Sequence, residues 1–297
     1  MGVYTVIRIV LLLLLWPLPA SAGWQSRDSN YDISISGAAP SYTGPGDCVG
    51  GWLTWVGFNA YSAAYANGTN NAADLVDTAT GLTTYTAKML STGLWDAAGA
   101  AASTACATSC KVTKFYDQTG GTNHFTNATL SSMPTIVFSH RGGLADLQWT
   151  ASPASLLNAP TITQAQPFSF VVFANRSPSA ASSMNTIASN GGNTVLQFSS
   201  SANAFILFGG GLISATATDT NFHAFQGVFN GASPNSILRV DATETTGSSG
   251  AGTMAAALSM GYNGGNPLIG FMNSAGAIAA ALTPTQRTCI ANAMSTW

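Results

Sequence analysis

Charge is what this sequence has least of. Asp, Glu, Lys and Arg make up 7% of its 297 residues, with 9 basic against 11 acidic side chains and a formal net charge of −2. No basic cluster stands out, which argues against nucleic acid as a partner, because phosphate binding needs concentrated Lys and Arg. Ser, Thr, Asn and Gly are left to solvate the surface. Glutamate is reduced to one residue, Glu244, so any carboxylate chemistry must draw on it and ten aspartates. Reaction signatures are missing as well. There is no H-E-x-x-H, no phosphate loop and no G-x-S-x-G elbow in a strand–helix setting. Gly209-Gly210-Gly211 reads as a tight turn between strands and not as a nucleotide cradle. No cofactor and no metal are expected.

Long apolar runs are confined to the N-terminus. "MGVYTVIRIVLLLLLWPLPASAG" carries one early cation, Arg8, an apolar core from Ile9 to Leu18, and the small-x-small end Ala20-Ser21-Ala22. That pattern predicts a secretory signal peptide over residues 1–22. The run is short for a membrane span, which needs roughly 20 residues; an uncleaved anchor is the alternative. The expected location is secreted, extracellular or periplasmic, with no membrane contact after cleavage. Cysteine is scarce but even in number: Cys48, Cys106, Cys110 and Cys289. In an exported chain an even count favours disulfides. Cys106 and Cys110 flank "ATS" and can close a small loop, which leaves Cys48 for Cys289. A zinc site is the alternative, but no His lies at ligand spacing beside either pair.

The Gly/Pro/Ser-rich residues 34–47 extend residues 23–47 as an exposed lead-in to one domain over 48–297. "GFNAYSAAYANG", with Phe58, Tyr61 and Tyr65 at helical spacing, predicts a short helix. "ADLVDTATGLTTYTAKML" predicts two strands around a turn, and the Ala-rich "LWDAAGAAASTAC" a helix. From residue 133 onward the pattern is nearly all strand: "PTIVFS", "LADLQWT", "FSFVVFANR", "NTVLQFSS", "NAFILFGG", "FHAFQGVFN", "SILRVDAT" and "AALSMGY". Turn residues separate these runs, which predicts an all-β antiparallel β-sandwich of jelly-roll type. Thr283 as N-cap and Pro284 at the first helical position predict a C-terminal helix.

Asp117 sits in "TKFYDQTGGTNHFTNAT", between a strand and a glycine loop. An Asx side chain there can hold a turn, or it can serve as a catalytic carboxylate or a ligand. Asp219 in "ATDTNFH" reads as a turn former, Glu244 in "RVDATETTG" as a solvated charge on a hairpin flank, and Asp146 as outward-facing. These leave Asp219, Glu244 and Asp117 as weak catalytic candidates. Asn190, Asn193, Asn263 and Asn266 each lie beside glycines. Amides donate and accept at once, which suits sugar hydroxyls; Trp149 or Tyr262 could stack on a sugar ring.

Over residues 49–138 the sequence resembles the catalytic module of the family-54 glycoside hydrolases, the α-L-arabinofuranosidase B type. The order "AYSAAY", "DLVDTATG", "LSTGLWDAAGAAASTACATSC" and "YDQTGGTNHFTNAT" is similar to that family's helix, strand pair, Ala-rich helix with close Cys pair, and Y-D-Q-S-G-x-G-N-x-L-T-Q-A stretch. The Y-D-Q-[ST]-G signature also occurs in bacterial and phage-borne modules of laminin-G-like shape. The resemblance implies a concanavalin-like sandwich acting on arabinofuranosyl side chains of plant polysaccharide. In that family the nucleophile Glu lies in a G-N-A-E-T-N-like stretch and the acid Asp in a G-G-D-N-like stretch. The counterparts here are "ASNGGNTVLQ" (188–197) and "MGYNGGNPLIG" (260–270), with Gly192 and Gly265 or Asn263 at the matching positions. Neither stretch holds a carboxylate. The expectation is therefore a carbohydrate-active module with a degenerate catalytic site, or alternatively a glycan-binding or surface adhesion module.

Overall fold

A computed structural model describes residues 42–177, 184–189, 194–199, 204–216, 219–231, 235–261 and 266–297. In chain order the strands begin with β1 (Trp52–Gly57), β2 (Asn71–Asp77), β3 (Thr84–Lys88), β4 (Cys110–Phe115), β5 (Phe125–Thr126) and β6 (Thr135–Arg141). Next come β7 (Leu144–Trp149), β8 (Leu157–Gln164), β9 (Phe168–Arg176), β10 (Met184–Ser189), β11 (Thr194–Ser199) and β12 (Ala204–Phe208). The last are β13 (Leu212–Thr216), β14 (His223–Phe229), β15 (Ser236–Val240), β16 (Thr243–Gly247), β17 (Met254–Met260) and β18 (Gly270–Ile278). The α-helices are α1 (Pro45–Cys48), α2 (Ala97–Ala102) and α3 (Pro284–Ser295).

Every strand pairing among the described residues is antiparallel. One layer runs β1-β18-β9-β14-β15-β16. The other runs β3-β2-β4-β5-β8-β17-β10-β11-β12-β13. The β6–β7 hairpin joins them, touching β4 on one side and β18 on the other. This is the all-β sandwich that the strand-rich second half predicts.

Strand β9 shows how the layers assemble. Its residues Phe168 to Asn175 are all buried. Side chains alternate across a strand, so Phe168, Phe170, Val172 and Ala174 enter the inter-sheet core. Val171 and Phe173 face the other way and pack with Trp55, Ala224, Val228 and Ile278 against Leu282, Ile290 and Met294 of the C-terminal segment. A strand covered on both faces reads as a continuous apolar run, which is how "FSFVVFA" looks in the sequence.

Helix α3 starts as expected. The Thr283 hydroxyl accepts from the Gln286 N–H, and the Gln286 side chain accepts from the Thr283 N–H, a reciprocal capping box with Pro284 in the first turn. Both disulfides are present. Cys48–Cys289 ties α1 to α3, with Cα atoms 5.7 Å apart. Cys106–Cys110 joins a single 3₁₀ turn (Thr104–Cys106) to the first residue of β4.

Two local expectations fail. Residues 58–68 form turns and not a helix, because their backbone groups bond elsewhere. The Tyr61 N–H donates to Gln118 Oε1, the Tyr61 carbonyl accepts from Gly46, and Asn67 Oδ1 accepts from the Thr69 and Asn70 N–H groups. The end of the lead-in is exposed only in part: Thr43 and Asp47 face solvent, but Gly44 and Pro45 are buried and the Tyr42 hydroxyl donates to the Ala60 carbonyl.

The long disulfide spans 241 residues of sequence. Replacing Cys48 with Ser should lower unfolding stability by about 5.5 kcal/mol in the loop-entropy account, measured by urea denaturation under non-reducing conditions. A loss below about 1 kcal/mol would contradict that role.

Candidate functional site

The Asp117 loop is built as a fastener between β4 and β1. Asp117 is 4% exposed. Its Oδ1 accepts from the Trp55 N–H (3.3 Å), the Thr119 N–H (3.1 Å) and the Thr119 hydroxyl (2.8 Å). Its Oδ2 accepts from the Asn123 N–H at 3.2 Å. Gln118 extends the joint: its Oε1 accepts from Tyr61 N–H and its Nε2 donates to the Gly57 carbonyl. The glycine pair follows from this geometry. Gly120 has φ 86°, and a Cβ on Gly121 would lie 2.6 Å from Asp117 Oδ2. His124 Nδ1 accepts from the Asp117 N–H at 2.9 Å, which requires a lone pair on that nitrogen. Burial and the Lys114 charge hold this imidazole below its usual pKa, against the pull of Asp117 and Asp74.

The stretches "ASNGGNTVLQ" and "MGYNGGNPLIG" fall at the end of β10, on β11, at the end of β17 and at the start of β18. Asn190, Asn193, Tyr262 and Asn263 lie outside the described residues. Ser189 ends β10 opposite Leu258, and Met260 ends β17 opposite Ile187. Asn266 is half-buried in the segment leading into β18. Trp149 does not offer a stacking face. It lines the floor of a cleft of about 310 Å³ with Gln148 and Phe271, yet it is 1% exposed, and a Cβ on Gly261 would meet its ring at 2.0 Å.

The charged residues gather instead beside α3. A cleft of about 500 Å³ opens there, lined by Arg141, Phe173, Phe222, Ala224, Arg239, Asp241 and Ala242, and on the helix side by Ala291, Asn292, Ser295 and Trp297. The Arg141 guanidinium makes a fork with Asp146, Nε to Oδ2 and Nη2 to Oδ1, both 2.8 Å. It also donates to the Trp297 main-chain oxygen and lies 4.2 Å over the Phe222 ring. Asp146 accepts from Asn273 Nδ2 too and is fully buried, although it faces away from the inter-sheet core as expected. The strand alternation is right, but protein covers the outer face of β7 at Asp146, while Gln148 on the same face is exposed.

Glu244 is likewise no free surface charge. It binds Arg239 Nη1 at 2.9 Å and Arg287 Nε and Nη2 at 2.8 and 2.7 Å. The Arg287 bonds, reinforced by both guanidinium charges and opposed by partial burial, hold its pKa below the ordinary value. His223 bridges two aspartates: Nδ1 meets Asp241 Oδ2 at 2.6 Å and Nε2 meets Asp219 Oδ1 at 2.7 Å. Asp219 Oδ1 also accepts from the Asn221 N–H, the turn expected of it. Asp241 sits in the tight β15–β16 turn with φ 52°, a left-handed position that aspartate tolerates, and its Oδ1 accepts from the Ala224 N–H. The Asp241 bond raises the His223 pKa, helped by Asp219 and opposed by burial. Asp219 is lowered by the Asn221 N–H and by His223. For Asp241, burial pushes upward, but His223 and the Ala224 N–H outweigh it and the net direction is down.

The other described carboxylates are also engaged. Asp47 accepts from the Gly44 and Ala63 N–H groups, Asp74 from the Tyr116 and Thr86 hydroxyls, Asp77 from its own turn, and Asp96 caps α2. Among the described residues, no group of three His, Cys, Asp or Glu side chains is placed to hold a metal ion.

No protein-family model matches the sequence, and no curated protein matches it. Solved structures match by shape. A mutant of a GH54 α-L-arabinofuranosidase soaked with 4-nitrophenyl α-L-arabinofuranoside aligns with TM-score 0.61 and 14% identity, over 82% of this chain and 62% of that one. An arabinofuranosidase complexed with arabinofuranosyl-α-1,2-xylobiose aligns with TM-score 0.64 and 14% identity, over 85% of this chain and 64% of that one. The chain has the GH54 arabinofuranosidase fold. It spans a little under two thirds of the length of those chains. At this identity the likeness speaks for the fold and carries no residue's role across.

On this GH54-type sandwich the sequence reasoning missed the α3 cleft. Its signal was the crowding of rare charges into "HRGGLAD", "DTNFH" and "RVDATE", three short tracts in a chain that is 7% charged.

Two outcomes follow. Asp117→Asn keeps the Oδ1 acceptor but turns an N–H₂ toward the Asn123 N–H and should cost about 1 kcal/mol. Asp117→Leu strands the Trp55 and Asn123 N–H groups and should cost about 2–3 kcal/mol in urea unfolding. Equal stability of the Leu variant would remove the fastener role. The second concerns His223. A neutral imidazole has one N–H and cannot donate to both aspartates, so the raised pKa stabilises the fold below the ordinary His value. This contribution is lost as pH rises through the raised value. The lowered Asp219 and Asp241 stabilise above the ordinary carboxylate range and lose this as pH falls through their lowered values. The melting-temperature gap between wild type and His223→Asn should be widest near about pH 5–6 and narrow on either side. A gap that widens from pH 6 to pH 9 would contradict the bridge.

Proposed function

We infer that this chain is an exported carbohydrate-recognising module of the arabinofuranosidase fold, one that holds glycan without hydrolysing it. The observation that carries the inference is the state of its carboxylates. A glycosidase needs a paired nucleophile and acid, and the acid needs a raised pKa. Every displaced carboxylate described here, namely Asp77, Asp219, Asp241 and Glu244, is displaced downward. The segments Asn190-Gly191-Gly192-Asn193 and Tyr262-Asn263-Gly264-Gly265, which correspond to the hydrolase motifs, contain none. The shared fold, and the arabinofuranosyl ligands of the solved relatives, support arabinose-bearing plant polysaccharide as the partner. The N-terminal signal-like segment and the two disulfides support export.

The purified chain should release 4-nitrophenol from 4-nitrophenyl α-L-arabinofuranoside at the background rate, because general acid–base assistance alone contributes typically 10²–10⁴-fold. It should still be retained on insoluble arabinoxylan or in affinity gels containing arabinan. Turnover that Asp219→Asn, Asp241→Asn or Glu244→Gln abolishes would restore the hydrolase reading. Failure to bind any polysaccharide would defeat the recognition reading.

A further inference from the structure

Resting on the recognition reading above, we propose that the cleft beside α3 is a glycan subsite that grips a vicinal diol of a neutral sugar between the Arg239 guanidinium and the Asp241 carboxylate. The cleft is built on the β9–β14–β15 layer, whereas β10 and β17, where the "ASNGGNTVLQ" and "MGYNGGNPLIG" stretches begin, belong to the other layer.

Size is the first argument. About 500 Å³ lies within the usual range of small-molecule sites, roughly 300–1,000 Å³. The second is an unused donor. Arg239 is 7% exposed. Its Nε is taken by the Asp241 carbonyl and its Nη1 by Glu244 and Thr288. Its Nη2 makes no hydrogen bond among the described residues, although Arg239 lines the cleft. Nη2 is not among the buried unpaired side-chain atoms, so it opens to solvent, and a ligand oxygen entering the cleft would take the place of water on it. The third argument is the acceptor beside it. Each Asp241 oxygen has one partner in the protein, Ala224 N–H or His223 Nδ1, and keeps a second lone pair. The Asp241 side chain is 53% exposed.

Arg239 and Asp241 line the same cleft, joined by the Arg239 Nε bond to the Asp241 carbonyl, and a donor and an acceptor on one wall match a diol. One hydroxyl donates to Asp241, and its neighbour accepts from Arg239 Nη2, each as a charge-assisted bond. Phe173, Phe222 and Ala224 supply an apolar wall for the C–H face of a sugar ring. Asn292 and Ser295, both exposed on α3, supply further donors and acceptors at the rim. The charges argue against an anionic ligand. Arg141 is neutralised by Asp146, Arg239 shares Glu244 with Arg287, and Asp241 adds a negative group at the mouth.

The test is isothermal titration of the full chain with arabinotriose, and with digalacturonate as the anionic probe. It uses wild type, Asn292→Trp and Arg239→Lys, with melting temperatures recorded for each. Asn292→Trp fills the cleft from an exposed helix position and breaks none of the bonds described between the cleft's charged groups, so its fold is not at risk from an ion pair. The expected result is arabinotriose binding that weakens at least tenfold in Asn292→Trp and in a folded Arg239→Lys, with weaker or no binding of digalacturonate. Unchanged binding in Asn292→Trp would put the glycan elsewhere and overturn this proposal, while retention on polysaccharide would leave the recognition reading standing. Tighter binding of digalacturonate than of arabinotriose would also overturn it. Absence of binding to arabinotriose and to every polysaccharide tested would defeat both.

Discussion

One sheet face, covered by one helix, is the constraint on which the rest of this structure depends. The outer side of β9, β14, β18 and β1 carries Val171, Phe173, Ala224, Val228, Ile278 and Trp55, and without cover these would face water. Leu282, Ile290 and Met294 close it, and Cys48–Cys289 holds the helix from the other end of the chain. Burial of this kind is non-directional and proportional to apolar area, so it fixes that the helix lies down without specifying every contact at its margin. The margin is where polar chemistry collects. Asp146 with Arg141, Glu244 with Arg239 and Arg287, and His223 with Asp219 and Asp241 all border this covered face.

The scarcity of charge gives these clusters their character. Most ionised groups here are shielded from water in part or in full, and those beside α3 are paired with an opposite charge, whereas Asp47, Asp74, Asp77, Asp96 and Asp117 are held by N–H and hydroxyl donors. Leaving a buried charge unpaired is costly, which accounts for Arg287 at 4% exposure being tied to Glu244 and the Leu282 carbonyl. The same economy shapes the Asp117 loop, where one carboxylate gathers N–H groups from two segments distant in sequence. In a chain with few carboxylates, those present are largely consumed by architecture. That is the physical link between the composition and the proposal of recognition without hydrolysis: neutral hydroxyls can be bound by donors and acceptors already held in place, whereas glycoside cleavage needs a carboxyl group kept protonated.

Local pattern alone determined a good deal. Alternation and turn residues predicted the strands of the second half, Thr283 and Pro284 predicted the start of α3, and the even cysteine count in an export-type chain predicted both disulfides, because each rests on interactions between near neighbours or on a simple pairing rule. The Y-D-Q-T-G-G stretch also carried its own explanation, since the Asx turn and the glycines that clear space for it are only four residues apart. Tertiary structure decided what neighbours could not. Tyr61 and its surroundings have helical spacing but lose the helix to partners at Gly46 and Gln118. Asp146 alternates outward but meets Arg141 and Asn273 and not water. Trp149 is aromatic and polar-tipped, yet Gly261 closes over its ring. The α3 cleft joins residues from 141 to 297, brought together only because the helix folds back over the sheet; no periodicity records that closure, since which groups face water depends on what the finished fold puts over them.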